Sequence, residues 1–312
     1  MAEAVQLNEN NQIPFWQTVR ERRNRILADI VLYIVLILFA IVALVPFGWM
    51  ISTSLMTNGE AQAAKRLLPL EPQWSNYEEA WNEANFGKYF INSSIIASVS
   101  IAGTLVICVL AGYAFARINF IGRNVMFALV LSTLMIPESV IMIPNFLIIT
   151  ANIFPLPNLT QVPPFIVFEG TWLDSLQGLT VPFLASAFSI FLLRQFFAQI
   201  PNELWEAAKL DGAGHLRFLL QVCLPIARPA VMTVALLTFI GSWNAFLWLL
   251  IITRTDSWRP AVLGLYNFQS EAGNQTHLMM AASFITIIPI LILYFITQKS
   301  FTEGLATSGL KG

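Results

Sequence analysis

The chain has 312 residues, 56% of them hydrophobic and 11% charged, with a mean hydropathy of +0.67. Soluble domains carry about 25% charged residues, so this composition excludes an ordinary soluble protein and points to the membrane. The formal net charge of −1 lacks the basic excess of a nucleic-acid binder, and no nucleic-acid partner is expected.

Six apolar stretches approach the roughly 20 residues needed to cross a bilayer: 28–51, 93–116, 124–147, 177–198, 229–252 and 278–298. The first is too long for the apolar region of a signal peptide. Ahead of it, "PFWQTVRERRNRIL" sets Phe15 and Trp16 beside arginines. That suits the membrane surface, or simply a basic flank that orients the first span. In the loop that follows, Trp74, Tyr77 and Trp81 lie at helical spacing, and read as an interfacial aromatic belt rather than a sugar platform.

In the third stretch Pro137 precedes Glu138 and predicts a kink. Glu138 is the one acid well inside a span; it either lines a cavity or is lifted toward the outer interface. Ser139 to Phe168 carries no charge. A seventh span there is excluded because Pro144, Pro155, Pro157, Pro163 and Pro164 break a continuous helix. Segment 147–176 therefore reads as an external or re-entrant loop, longer than its setting explains.

The fifth stretch, "LLTFIGSWNAFLWLL", puts Gly241, Ser242, Trp243 and Asn244 at mid-depth. Asn244 suits a hydrogen bond to a sugar hydroxyl and Trp243 suits stacking on a pyranose face. Helix packing, with small residues admitting a neighbour and Asn244 as polar glue, is the alternative. Cys108 and Cys223 give neither a disulfide framework nor metal spacing and read as small buried hydrophobes. His215 and His277 are too far apart in sequence to suggest a ligand pair. The N-x-[ST] triplets at Asn92, Asn158 and Asn274 are short enough to arise by chance.

Loop charges set the orientation. Arg20, Arg22, Arg23, Arg25, Arg117, Arg123, Arg194, Lys209, Arg217, Arg228, Lys299 and Lys311 fall on one side. Lys65, Arg66, Lys88, Arg254 and Arg259 fall on the other. Both tails and the even-numbered loops are thus expected in the cytoplasm.

The fourth loop, "IPNELWEAAKLDGAGHLRFLL", begins with Pro201 and Asn202 as the expected N-cap, with Glu203 and Glu206 in the first turns. Gly212 permits a tight turn or the close approach of a partner. The apolar pattern resumes at Leu216, Phe218, Leu219 and Leu220, and Pro225 precedes the next span. This predicts a short surface helix, a turn and a second helical piece. Small residues and mixed charge suit insertion into a groove on another protein.

Glu206-Ala207-Ala208, three residues, Gly212, nine residues, then Val222-Cys223-Leu224-Pro225 resembles the EAA loop of permease subunits of binding-protein-dependent ABC importers. Val222 stands where the family has isoleucine. "LDGA", "NYEEAW" with "FGKYFINSSIIAS", "SIFLLRQFFAQIPNELWEAA" and the tail from "MAASFITIIPILILYF" to "GLATSGLKG" are similar to the carbohydrate, maltose-type class.

The resemblance implies an all-α membrane protein with six transmembrane helices in the type I importer fold. Its parts would be a cytoplasmic tail (1–27), a first helix and external loop (28–75), a core permease domain (76–300) and a cytoplasmic tail (301–312). It further implies a bacterial inner-membrane location. The implied partners are a second homologous permease, two ATP-binding subunits, an extracytoplasmic solute-binding protein and a small-molecule solute.

By the same resemblance, Glu206, Ala207, Ala208, Asp211 and Gly212 form a coupling helix docked in the ATPase. Gly309, Lys311 and Gly312 would reach between the ATPase subunits, unless they are a frayed terminus. Trp258, Tyr266, Asn267 and Gln269 of the fifth loop would meet the binding protein, unless that loop is a plain connecting hairpin. Trp243, Asn244 and Glu138 are the candidates for the solute path.

The sequence holds no G-x-x-x-x-G-K-[ST] loop, so ATP and Mg are expected on the partner ATPase and no cofactor on this chain. The cargo is expected to be a sugar or related solute, with a polyol or glycerol phosphate as the alternative. An ion-coupled secondary transporter would call for inverted repeats and more acids at mid-membrane.

Overall fold

The computed structural model of the single chain describes residues 15–63, 66–83, 85–150, 172–270 and 273–309. Helix α1 (Phe15–Ser54) runs through the basic flank and the first apolar stretch without a break, Pro46 included. Its segment Ile26–Ser54 is apolar, and none of its most apolar part is buried within the chain. Lipid is the solvent such a surface requires.

Helix α2 (Asn58–Ala63) starts with a reciprocal cap. Thr57 N donates to Glu60 Oε2 at 3.0 Å, and Glu60 N donates to Thr57 Oγ1 at 3.4 Å. Helix α3 (Ser75–Glu83) is tied to the end of α1. The buried Asn76 Nδ2 donates to Ser54 O and Met56 O, both at 2.8 Å.

Helix α4 (Phe86–Arg117) has 32 residues, about 48 Å of helical rise, and is the spine of the molecule. Helices α5 (Arg123–Ser132) and α6 (Glu138–Ile149) follow, bent by 103° where a single kinked span, 124–147, was expected. The expected kink at Pro137 is the cause. Proline drives the preceding residue out of helical geometry, and Ile136 is extended at φ −90°, ψ 118°. Pro144, expected to break the helix, lies inside α6 instead.

The fourth stretch is also bent, by 49°, between α7 (Leu176–Thr180) with its 3-10 extension Val181–Phe183 and α8 (Ala187–Gln199). Ser186 caps α8, its Oγ accepting from Ser189 N at 3.2 Å. Helices α9 (Asn202–Leu210), α10 (His215–Phe218), α11 (Leu224–Ile226) and α12 (Arg228–Trp243) come next, with a π turn at Leu219–Cys223. The chain bends by 82° between Ile226 and Arg228. The expected fifth span, 229–252, is interrupted: α12 ends at Trp243 and α13 (Leu247–Ile252) starts afresh.

After α14 (Ala261–Gly264), strand β1 (Gln269–Ser270) pairs antiparallel with β2 (Gly273–Asn274). Helix α15 (Thr276–Gly309) continues through Pro289 and past residue 300. Apart from that two-residue strand pair, the described elements are all helical. Among the described residues three helices are long and apolar enough to cross a membrane, and the passages number up to six if each of the three bent pairs is one span.

The main core lies where α4 meets α8 and the elements from α10 to α12, around Leu193, Phe197, Phe218 and Val234. Cys108 and Cys223 lie fully buried within it. The α4–α8 crossing needs Gly112: a Cβ there would stand 3.0 Å from Leu193 Cβ and 3.2 Å from Arg194 N. A second cluster joins Phe86 and Tyr89 to Phe268 and Leu278. A third joins Ile96, Ile149, Leu179 and Trp248.

Candidate functional site

Helix α9 ends in a Schellman turn. Gly212 has φ +74°, Ala213 N donates to Ala208 O at 2.9 Å, and Gly212 N donates to Lys209 O at 3.0 Å. The Glu-Ala-Ala…Gly spacing is therefore a helix with its stop signal. Glycine reaches the left-handed conformation that this turn requires without steric cost. Asp211 is the last residue before the reversal, its N–H donating to Ala207 O at 3.1 Å. The predicted helix, turn and second helix are all present.

One face of α9 is fastened down. Trp205 stacks on His215 with ring centroids 4.4 Å apart and packs on Phe218 at 5.0 Å. Tyr113 Oη lies 2.9 Å from His215 Nδ1. Arg117, at the end of α4, donates from Nε to Phe197 O at 2.8 Å, from Nη1 to Asn202 Oδ1 at 2.7 Å, and from Nη2 to Ile200 O. This corrects the expected N-cap. The cap is Pro201, because the Asn202 amide serves Arg117 instead. The other face stays open: Glu206, Ala207 and Gly212 are exposed, and Leu210 keeps 91% of its surface.

Midway along α4 a cavity of about 360 Å³ opens between α4, α8, α12 and the bend before α6. That size falls in the usual range of small-molecule sites, roughly 300–1,000 Å³. Ser100, Thr104, Ser186, Ser189, Thr238 and Ser242 line it, together with the exposed Glu138. Phe183 and Trp248 form an aromatic wall, edge to face at 5.3 Å. The Trp248 indole N–H is already engaged, donating to Gly178 O at 3.1 Å.

Of the residues singled out for the solute path, Glu138 lines this cavity and Trp243 does not. Trp243 is 3% exposed, sits between Phe239 and Phe90, and donates its N–H to Thr286 O at 3.0 Å. That is the packing role. Asn244 is exposed at the break after α12. From the same stretch it is Gly241, Ser242 and Ala245 that reach the cavity.

At the other end of α4 sits the loop after α13. Tyr89 Oη donates to Asp256 Oδ1 at 3.1 Å, and Asn92 Nδ2 donates to Ser257 O and Arg259 O at 3.0 Å each. Asp174 accepts from Arg254 N at 2.9 Å and from Thr255 N. On this loop Tyr266 and Asn267 are exposed, Trp258 is half-buried, and Gln269 begins β1. Gly309 ends α15, whereas Lys311 and Gly312 lie outside the described residues, as does 151–171 of the long third loop.

Residues 105–302 match the family described as "Binding-protein-dependent transport system inner membrane component". The chain belongs to this family of permeases. Over 294 residues the permease is 34% identical to the sn-glycerol-3-phosphate transport system permease protein UgpE of Yersinia pestis bv. Antiqua (strain Antiqua), covering 91% of this chain and 98% of that one. It is 32% identical over 272 residues to the diacetylchitobiose uptake system permease protein NgcG of Streptomyces coelicolor (strain ATCC BAA-471 / A3(2) / M145), covering 85% of this chain and 83% of the other. Its fold matches a chain of a bacterial ABC transporter involved in the import of the acidic polysaccharide alginate. The TM-score is 0.73 and the identity 26%, over 89% of this chain and 97% of that one.

The permease match contains the whole α9–Gly212–α10 segment and, from the cavity lining, Glu138 onward. Sequence reasoning missed Ser100, Thr104, Ser186 and Ser189 because single hydroxyls in apolar helices are common and their facing is not written in hydropathy. It also missed Tyr113 and Arg117 as fasteners of α9. The only signal for Arg117 was a basic residue at the end of a span; its partner Asn202 stands 85 residues further on.

Proposed function

We propose that this permease is one membrane half of an ATP-driven importer for a sugar or related solute, working with a second permease, two ATPase subunits and an external solute-binding protein. Helix α9 with Gly212 is its cytoplasmic coupling segment. Glu206, Ala207 and Ala208 seat in a groove of an ATPase that binds ATP and Mg, with Asp211 and Gly212 shaping the end of the peg. The core domain spans 76–300, and the tail with Gly309, Lys311 and Gly312 reaches toward the ATPase pair.

The observation that carries the reading is the union of an open outer face on α9 with an inner face bolted to α4 through Arg117 and Tyr113. A rigid peg transmits a rigid-body displacement; a slack loop absorbs it. The ends of α4 support the orientation, because Arg117 holds α9 at one end while Tyr89 and Asn92 hold the loop of Tyr266 and Asn267 at the other. The latter loop then faces the binding protein. When the ATPase pair closes on ATP, the spine moves with the peg and the cavity changes the side to which it opens. The solute path runs past Glu138 and the hydroxyl-lined wall.

The test is accessibility. Leu210→Cys puts a thiol on the most open point of the peg, while Cys108 and Cys223 are buried and silent. A membrane-impermeant maleimide is expected to label it in inverted vesicles and not in intact cells, and assembly with the ATPase is expected to protect it. Labelling from outside the cell would end this reading.

A further inference from the structure

We propose that the cavity beside Glu138 admits uncharged or amino-bearing polyhydroxylated solutes and turns away anionic ones. The proposal rests on the importer reading above and adds the charge class of the cargo to it.

Among the described residues lining the cavity, Glu138 is the only titratable side chain; no Lys, Arg or His is there to offset an anion. A phosphate or uronate drawn into this space would face a carboxylate across a wall that is otherwise apolar or hydroxylic. Charge interactions are stronger beside such walls than in water. A cation on the solute would instead find a partner, and a neutral sugar would suffer neither effect.

The hydroxyls give the second half of the argument. Ser100, Thr238 and Ser242 add hydroxyl-bearing side chains to the lining from α4 and α12. Ser186 Oγ accepts from Ser189 N at 3.2 Å and from Ser189 Oγ at 3.0 Å, which leaves its own proton to donate. The wall thus presents both donors and acceptors. That mixture suits hydroxyl groups, which do both. The aromatic pair Phe183 and Trp248 gives an apolar surface for the C–H faces of a ring.

Two thiol reagents of opposite charge read the cavity without requiring the solute to be known. In the assembled complex, Ser242→Cys places a thiol in the lining. Its reaction rates with 2-(trimethylammonium)ethyl and 2-sulfonatoethyl methanethiosulfonate are each normalised to a free thiol. The cationic reagent is expected to be preferred by on the order of tenfold, as one charge at cavity distance implies. Glu138→Gln should abolish that preference and Glu138→Asp should keep it. The sulfonate reagent stands for an anionic solute. If it reacts as fast as the cationic one, or if Glu138→Gln leaves the ratio unchanged, the proposal is overturned. If the ratio behaves as expected but ATP with Mg does not alter either rate, charge selection stands and the importer reading falls.

Discussion

Arg117 Nη1 donates to Asn202 Oδ1 at 2.7 Å, joining the last residue of the α4 spine to the first residue of α9. The same guanidinium holds Phe197 O and Ile200 O, so one planar fork clamps the end of α8, the link at Pro201 and the start of α9. Lysine cannot reproduce that geometry. Hydrogen bonds from a charged donor contribute about 1.5–3 kcal/mol each when well shielded, and less at this half-exposed site.

Arg117→Lys is therefore expected to lower the stability of the purified chain by about 1–3 kcal/mol and to cut uptake more than ATP hydrolysis in the assembled complex. Asn202→Ala should reproduce part of the effect, and the double variant should be less than additive, since the two residues share one bond. A ratio of uptake to hydrolysis equal to the parent's would show that the clamp does not carry the coupling.

Gly212 offers a sharper division between folding and docking. Its φ of +74° lies in the left-handed region, yet a Cβ built there meets nothing within 4 Å. Within this chain the cost of a side chain is thus conformational only, about 1–2 kcal/mol for a β-branched residue. Asparagine visits that region more readily. Gly212→Val should lower thermal stability modestly and Gly212→Asn hardly at all. If Gly212→Asn folds normally but no longer binds the ATPase, the open space at Gly212 is where the partner's surface approaches. Binding by both variants at parental affinity would remove Gly212 from the interface.

Helix α9 and its stop at Gly212 were legible because their signals are local. The Glu-Ala-Ala run, the glycine four positions on and the mixed polarity all lie within one helix and its stop. The kink at Pro137 was legible for the same reason. What the sequence did not reveal was that the fourth and fifth stretches are also bent or broken, or that the third turns by as much as 103°. Apolar windows average over Ile136, Ser186 and the Asn244–Phe246 gap, where helices stop for lack of a backbone donor or at a cap. The cavity arises at those breaks. Trp243 stayed open between sugar stacking and helix packing because its exposure depends on how α12 meets Phe90 and Thr286, a tertiary fact. Asn202 looked like a cap because its competitor, Arg117, lies in a different part of the chain.

Asn92 is buried, and its amide holds two carbonyls of the loop after α13. Removing a partner from a buried hydrogen-bonding group costs about 1–3 kcal/mol. Asn92→Ala is expected to lower the melting temperature and to open residues 253–260 to protease. Asn92→Asp should be worse, because a carboxylate would face two carbonyl oxygens with no proton to share. An unaltered protease pattern in both variants would mean that Tyr89 and Ser93, which also hold this loop, suffice alone.

Glu60 makes the loop after α1 sensitive to acid. The backbone N–H of Thr57 holds its carboxyl below the ordinary value of 4.5, with Leu70 N–H and the Thr57 hydroxyl adding to the effect and burial opposing it. A carboxyl whose folded value is lowered contributes stability above its unfolded value and loses it as the pH falls through the folded one. The cap of α2 and the tie to Leu70 should therefore be intact at neutral pH and release in the acid range beneath 4.5. Hydrogen exchange of the Thr57 and Leu70 amides across that range is the measurement. Glu60→Gln, which has no carboxylate to protonate, should exchange faster at neutral pH and lose the acid step. An acid step that survives in Glu60→Gln would assign the sensitivity to another group.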